Sequence, residues 1–440
     1  PALSSNGIKT DIRSYLGNNG QRLMTMEEAA HVGSFTDVEG ESMETIFISI
    51  ASYRDYRCPL TVENLFIRAR YPERIRVALV DQIINDEDEP CNLPPSDEPS
   101  CAENPNHALC KYAHLISYYS MDASISVGPI LARHIGHRMY RGEYFAMQID
   151  AHMEFVDGWD VDIVYQWKTA NNEMAILSTY VTAALNTTIN VQTGQSLVTK
   201  RPFMCNSIYE SDYYDGDTGH MRHDQQPGTE PTIHGTPMLH PFWAAGFSFA
   251  RGHFVVNVPY DQYLPMIFQG EEPNIGIRAF TYGYDFYAPE QNIVFHYYDL
   301  SDRKGMKKKE KKVKNFWEHE DKFKDVAQSA MLRLKGIIDT NPEVTPDQWN
   351  HIEHSKYGTG KVRTTTKYFE TFGIHPHNHT VGGTNLCSFV EMEMHLKFSM
   401  ALRNNNMGID YDQISFKFQS FMYPPFFETN YYGEETDDAE

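Results

Sequence analysis

Apolar residues along the chain fall into short unbroken runs separated by segments of helical period. Thr45-Ile46-Phe47-Ile48-Ser49-Ile50-Ala51 is rich in β-branched residues and does not alternate with polar ones, the pattern of a strand buried on both faces. Ser52-Tyr53-Arg54-Asp55 follows as a loop. Pro59 to Arg70 carries Leu60, Asn64 and Ile67 at helical spacing with Leu65 and Phe66 beside them, and Arg76-Val77-Ala78-Leu79-Val80 is a second buried strand. Strand, helix and strand in about forty residues is the size of a parallel βαβ unit. The alternation resumes with a helix over 128–140, a strand over 144–149 that stops at Asp150-Ala151-His152, a helix over 159–171 and a strand over 174–178. The pattern predicts an α/β fold. Ligands of open parallel sheets bind outside the carboxyl ends of the strands, which puts Ser52 to Asp55, Asp81 and Asp150 on one functional edge.

Beyond residue 240 the character changes. Pro241 to Ala250 is aromatic and rich in small residues, and Phe268-Gln269-Gly270-Glu271-Glu272 sets two carboxylates beside a glycine. Arg303 to Lys314 is a Lys-rich loop, and Glu320 to Ile338 reads as a surface helix. Val390 to Leu402 alternates apolar and polar residues, which predicts a half-buried strand partnered by Ile414 to Phe421. The predicted organisation is an arm over 1–43, a catalytic-sized domain over 44–375 with an acidic, Cys-containing insertion at 86–110, and a strand-rich extension with an acidic tail over 376–440.

Composition narrows the function. With 38 Lys+Arg against 59 Asp+Glu the formal net charge of the 440-residue chain is -21. A field of that sign repels a nucleic-acid backbone, so no nucleic-acid partner is expected. No window reaches the roughly 18 consecutive apolar residues of a membrane span, and Pro1-Ala-Leu-Ser-Ser has neither a signal-type apolar region nor an initiator Met; membrane association would come only through a removed N-terminal anchor. The 6 cysteines are too few for a disulfide scaffold, but Cys91, Cys101 and Cys110 share one Pro-rich acidic loop where a single staple is expected. Asn186-Thr187-Thr188 and Asn378-His379-Thr380 are glycosylation-competent triplets. Together these favour a secretory, Golgi-type lumen over the cytoplasm.

The sharpest chemical signal is Asp150-Ala151-His152 at a strand end. A carboxylate and an imidazole two residues apart grip one divalent ion, Mn²⁺ or Mg²⁺, when the chain bends between them; a capping Asp beside a backbone-bonded His has the same spelling. His296, after the short apolar strand ending Val294-Phe295, completes a three-ligand set. Glu271 and Glu272 are the candidate catalytic carboxylates, placed to accept sugar hydroxyls or to stabilise oxocarbenium-like charge, and a solvated acidic turn is the plainer alternative. Trp243, with Gly246 nearby, suits a sugar-stacking floor, though an aromatic residue among small ones is more often plain core. Asp55 or Asp81 suits a base or ribose edge, and Arg133 or the 303–314 run suits phosphates.

The run Thr45 to Asp55, then Tyr71-Pro72-Glu73-Arg74, Gly128-Pro129 with Ala132-Arg133, and Gln148-Ile149-Asp150-Ala151-His152 resembles the hydroxyproline and mucin-type polypeptide N-acetylglucosaminyltransferases. The resemblance continues at Ala245-Gly246-Phe247, Gly270-Glu271-Glu272, Asp285 to Pro289, Val294-Phe295-His296 and Tyr357 to Gly360 with Arg363, over about residues 44 to 375. It implies a GT-A fold, a UDP-N-acetylglucosamine donor, a divalent cation and a protein or peptide hydroxyl as acceptor, with retention giving an α-linkage. It further implies that Asp150, His152 and His296 are metal ligands, that Ser52, Tyr53 and Arg54 line the uridine pocket, and that Glu271 and Glu272 contact the transferred sugar or the acceptor. Another UDP-sugar, such as UDP-galactose or UDP-N-acetylgalactosamine, a non-catalytic carbohydrate-binding homologue, and a glycoside hydrolase using Glu271 or Glu272 are the rival readings.

Overall fold

The computed structural model describes residues 31–210, 219–224, 228–231, 236–298, 316, 320–382 and 384–414. The strands that position the site are β1 (Ile46–Tyr53), β2 (Ile75–Ile83), β3 (Ile116–Asp122), β4 (Phe145–Ile149), β5 (Met153–Phe155), β6 (Ala175–Ser178), β7 (Met238–His240), β8 (Phe247–Arg251), β9 (Asp285–Ala288) and β10 (Val294–His296). The helices used below are α1 (Cys58–Ile67), α2 (Pro129–His137), α3 (Trp159–Thr169), α4 (Glu271–Thr281), α5 (Glu320–Ile338), α6 (Thr365–Phe372), α7 (Thr384–Phe389) and α8 (His395–Phe398).

Eight of the strands form one sheet in the order β7-β9-β6-β8-β4-β1-β2-β3. β1 is parallel to β2 and β4, and β2 to β3, with Ser52 opposite Asp81 in register. β8 runs antiparallel to both of its neighbours, β4 and β6. The α/β class expected from the pattern is therefore present, but the sheet is mixed. The reversal has a consequence for the site: the start of β8 lies at the same edge as the carboxyl ends of β1 and β4. Ile46, Ile48 and Ile50 are fully buried and so is their neighbour Phe47, which is why this stretch reads as an unbroken apolar run. α2 packs on β1 and β2, and α3 on β6 and β8.

Several expectations are corrected here. In α1 the buried side is Thr61, Val62, Asn64, Leu65 and Phe66, whereas Leu60 and Ile67 face solvent. All six cysteines pair, as Cys58–Cys91, Cys101–Cys110 and Cys205–Cys387, so the acidic insertion is stapled both to α1 and to itself. The strand predicted over Val390 to Leu402 is absent; following α7, one π-helical turn over Val390–Met394, α8 and a 3₁₀ turn over Ser399–Ala401 occupy it. Val390, Met394 and Phe398 are buried while Leu396 and Met400 are exposed. A spacing of four belongs to the helical period as much as to alternation, and Met, Leu, Glu and Lys favour the helix. Of its proposed partner segment only Ile414 lies within the described residues, and the 303–314 Lys run and the acidic tail lie outside them. The Glu320 to Ile338 helix is present as α5, but it is not the surface helix expected: its second half is largely buried, with Met331, Arg333, Leu334, Lys335, Ile337 and Ile338 inside.

Candidate active site

β4 ends at Ile149, and the chain turns through Asp150 and His152 into β5. β5 pairs antiparallel with β10 so that Met153 faces His296, and the backbone N–H of Tyr297 donates to the His152 carbonyl at 3.1 Å. Two short strands thus bring residues far apart in sequence to one point. The potential ligand atoms of Asp150, His152 and His296 all lie within 4.8 Å of one another.

Each of the three is held by a neighbour. His152 Nδ1 bonds Asp55 Oδ2 at 2.5 Å, which leaves Nε2 free to point elsewhere. Burial opposes a charge on this imidazole, but the Asp55 carboxylate prevails and raises its pKa. Asp150 Oδ2 lies 3.4 Å from His296 Nε2, and Asp150 Oδ1 accepts from Arg133 Nη2 at 2.7 Å. Against the upward push of burial, the His296 hydrogen bond and the Arg133 charge keep the Asp150 carboxyl well below the usual carboxylate range. Gly246 stands beside it: a Cβ there would sit 2.8 Å from Asp150 Oδ2. Only glycine leaves the carboxylate where it is.

Arg133, on α2, joins this cluster to α4. Its other terminal nitrogen, Nη1, donates to Glu271 Oε1, and the guanidinium is almost wholly buried. Gly270, at φ 95, turns the chain into α4 and presents Glu271 and Glu272 in its first turn, where carboxylates complement the helix dipole. Glu272 accepts the Ala245 N–H at 2.9 Å and the Tyr180 hydroxyl. Burial, reinforced by the Glu271 charge, outweighs these bonds and lifts Glu272 to about 7. Tyr298 packs against His296 with ring centroids 4.1 Å apart and the rings tilted by 40°, and it is 57% exposed, an aromatic surface open to solvent beside the three ligands.

The other residues expected in the site are placed differently. Asp81 is buried, and its Oδ2 accepts the Cys91 N–H at 2.8 Å and the Tyr118 hydroxyl at 3.1 Å, so it ties the acidic insertion to the sheet. Arg54, at φ 52, pairs with Asp88 at 2.6 Å and Glu87 at 2.7 Å. Ser52 is buried with its Oγ lacking a hydrogen-bond partner, and Tyr53 is half-buried beside it. Trp243 does not present its ring as a floor: it is fully buried, with Gly276 of α4 close against it, because Pro241 to Ala245 crosses the core between β7 and β8. Asp55, expected at a base or ribose edge, instead orients His152. Tyr180, Tyr298 and Arg57 were not singled out by the pattern; the aromatic pair directly after His296 was the one available signal for Tyr298.

The donor set fits a divalent cation. One carboxylate and two imidazoles converge, His152 has a carboxylate fixing its second nitrogen as metal-bound histidines usually do, and His296 Nδ1 is buried without a hydrogen-bond partner. A second convergent group, Glu63, Glu98 and His107, does not fit. His107 Nδ1 accepts the Leu109 N–H at 3.2 Å, so the ring proton sits on Nε2 and is donated to the carboxylates.

The family model for GlcNAc glycosyltransferases matches residues 45–114 and 95–378. No curated protein sequence matches the chain. Among solved structures, the chain is similar to GalNAc-T7 with UDP, GalNAc and Mn²⁺ at TM-score 0.44 and 13% identity, over 72% of this chain and 55% of that one. It thus spans about half the length of that relative. It is also similar to S. aureus TarS 1–349 in complex with UDP-GlcNAc at TM-score 0.35 and 10% identity, over 66% of this chain and 72% of that one. With the family model matching well over half of its length, the chain belongs to the GlcNAc glycosyltransferase family.

Proposed function

We propose that this protein is a metal-dependent, retaining glycosyltransferase of GT-A type that moves N-acetylglucosamine from UDP-N-acetylglucosamine to a Ser, Thr or hydroxyproline hydroxyl of a protein or peptide, forming an α-linkage. The observation that carries the reading is the convergence of Asp150, His152 and His296 at the edge formed by the ends of β4 and β10, each fixed by a neighbouring group. The cation they would hold is Mn²⁺, which suits a mixed oxygen and nitrogen set better than Mg²⁺. When bound, it supplies Lewis-acid stabilisation to the leaving diphosphate.

The remaining work falls to the chain's own groups. Asp55 sets the His152 ring, and Arg133 sets the Asp150 carboxylate and links it to Glu271 on α4. Glu271 and Glu272 face the transferred sugar and the acceptor, with Tyr180 and the Ala245 N–H fixing Glu272. Ser52 and Tyr53, at the end of β1, line the nucleoside side. The bond from the anomeric carbon to phosphate breaks as the bond to the acceptor oxygen forms, and the acceptor proton passes to the leaving phosphate oxygen, so no separate base is assigned. The three disulfides accord with a secretory, Golgi-type lumen, and no described helix is long and apolar enough to cross a membrane.

The test is transfer to Ser/Thr and hydroxyproline peptides from a panel of UDP-N-acetylglucosamine, UDP-N-acetylgalactosamine and UDP-galactose, with and without EDTA. The reading expects N-acetylglucosamine transfer that EDTA abolishes and Mn²⁺ restores. Full activity in EDTA, or preference for another sugar, contradicts it.

A further inference from the structure

A leaving diphosphate carries more negative charge than one divalent cation neutralises, so a glycosyltransferase of this kind needs a further positive group nearby. Arg133 is not free to supply it, because both its terminal nitrogens are held by Asp150 and Glu271. Arg57 is differently placed. It caps α1 immediately after the loop that carries Asp55, and its backbone N–H donates to Asp55 Oδ1 at 2.9 Å while Asp55 Oδ2 holds His152. Its guanidinium lies 3.4 Å from the ring centroid of Tyr297, the residue that follows His296. Arg57 therefore touches the elements carrying two of the three metal ligands.

This guanidinium lies over the Tyr297 ring, and a carboxylate it acts on, Glu154, accepts the Tyr297 hydroxyl at 2.9 Å. Arg57 is only part-buried. Its side chain also bonds the Tyr297 hydroxyl and is drawn toward the Glu154 carboxylate; these contacts fix its position, and a guanidinium with five N–H donors still has donors to offer an anion. Other arginines are spent on carboxylates, as Arg54 is on Asp88 and Arg74 on Asp160.

We infer that Arg57 is a donor-binding residue that takes the diphosphate of the nucleotide, with Tyr297 as its positioning platform. This rests on the donor reading above. The experiment is calorimetric titration of UDP and, separately, of uridine into wild-type, Arg57→Gln and Arg57→Lys proteins in the presence of Mn²⁺. Loss of a charge-assisted contact corresponds to about tenfold to a hundredfold in affinity. Arg57→Gln is expected to weaken UDP by that factor and leave uridine unchanged, and Arg57→Lys, a point charge without the planar stack, to fall between. An Arg57→Gln protein that binds UDP within about twofold of wild type overturns the assignment, as does an equal loss for uridine, which would mark a purely structural role. If wild type itself fails to bind UDP, the donor reading fails and Arg57's role with it; if wild type binds and the variants do not differ, only the Arg57 assignment fails.

Discussion

Asp55→Asn offers the most informative single perturbation, because it leaves all three proposed ligands in place and alters only what holds one of them. The carboxylate lies 2.5 Å from His152 Nδ1, is itself held by the Arg57 N–H, and has a side chain only 9% exposed. Asparagine keeps the shape and an acceptor oxygen but removes the charge that makes the His152 ring a stronger donor to a cation. Replacing such a partner typically costs about tenfold to a hundredfold in metal affinity, or about 1.4 to 2.7 kcal/mol. The pH dependence carries its own sign. Asp55 raises the His152 pKa, so in the wild type a proton competes with the metal over more of the range below neutrality. Removing Asp55 relieves that competition, and the affinity deficit should be largest near pH 8 and shrink toward pH 6. Mn²⁺ binding followed by the electron paramagnetic resonance signal of the free ion, at both pH values, measures this directly. Unchanged Mn²⁺ affinity at pH 8, in a variant with the wild-type circular dichroism spectrum, would refute the account of His152 as a ligand oriented by Asp55.

Three further outcomes follow from the same geometry. Gly246→Ala puts a methyl 2.8 Å from Asp150 Oδ2 and must displace the carboxylate; overpacking of this kind costs about 1–3 kcal/mol in thermal unfolding, and transfer activity is expected to fall about a hundredfold. Arg133→Met leaves Asp150 and Glu271 without their shared cation, a loss of about 3–5 kcal/mol in urea unfolding, and a variant as stable as wild type would show that the bridge does not hold α2 to α4. Burial lowers His223 and His240 to about 3, whereas unfolded histidines titrate near 6.5, so below pH 6.5 the unfolded chain binds more protons. Stability is therefore present above that value and lost as pH falls toward 3, by up to about 1.4 kcal/mol per pH unit for each residue. His240→Gln should flatten the measured slope.

Legibility in the sequence followed the physics of each element. β1, β2 and β4 were readable because strands buried on both faces have no polar alternation, and their ends marked Asp150 and His152 by position alone. His296 could be reached only through the triplet, since nothing local distinguishes it from the other histidines. The Arg133 bridge was out of reach: its two carboxylates lie 17 and 138 residues away, and only the assembled sheet brings them to one guanidinium. Trp243 misled because an aromatic among small residues looks the same beneath a pocket as in front of it. Val390, Met394 and Phe398 fit both a period of two and a helical period, and burial decided for the helix. The reversed direction of β8, which delivers Gly246 to Asp150, has no signature in its residues. Disulfide pairing, likewise, is not encoded in cysteine spacing.

The claim on which the rest depends is that Asp150, His152 and His296 share one cation beside a nucleotide diphosphate. Crystals of the protein grown with UDP and Mn²⁺ and measured at the manganese absorption edge test it most directly. The account predicts an anomalous peak bonded to all three side chains and to the UDP phosphates. UDP bound at this edge without such a peak, or a peak held by other residues, would contradict it.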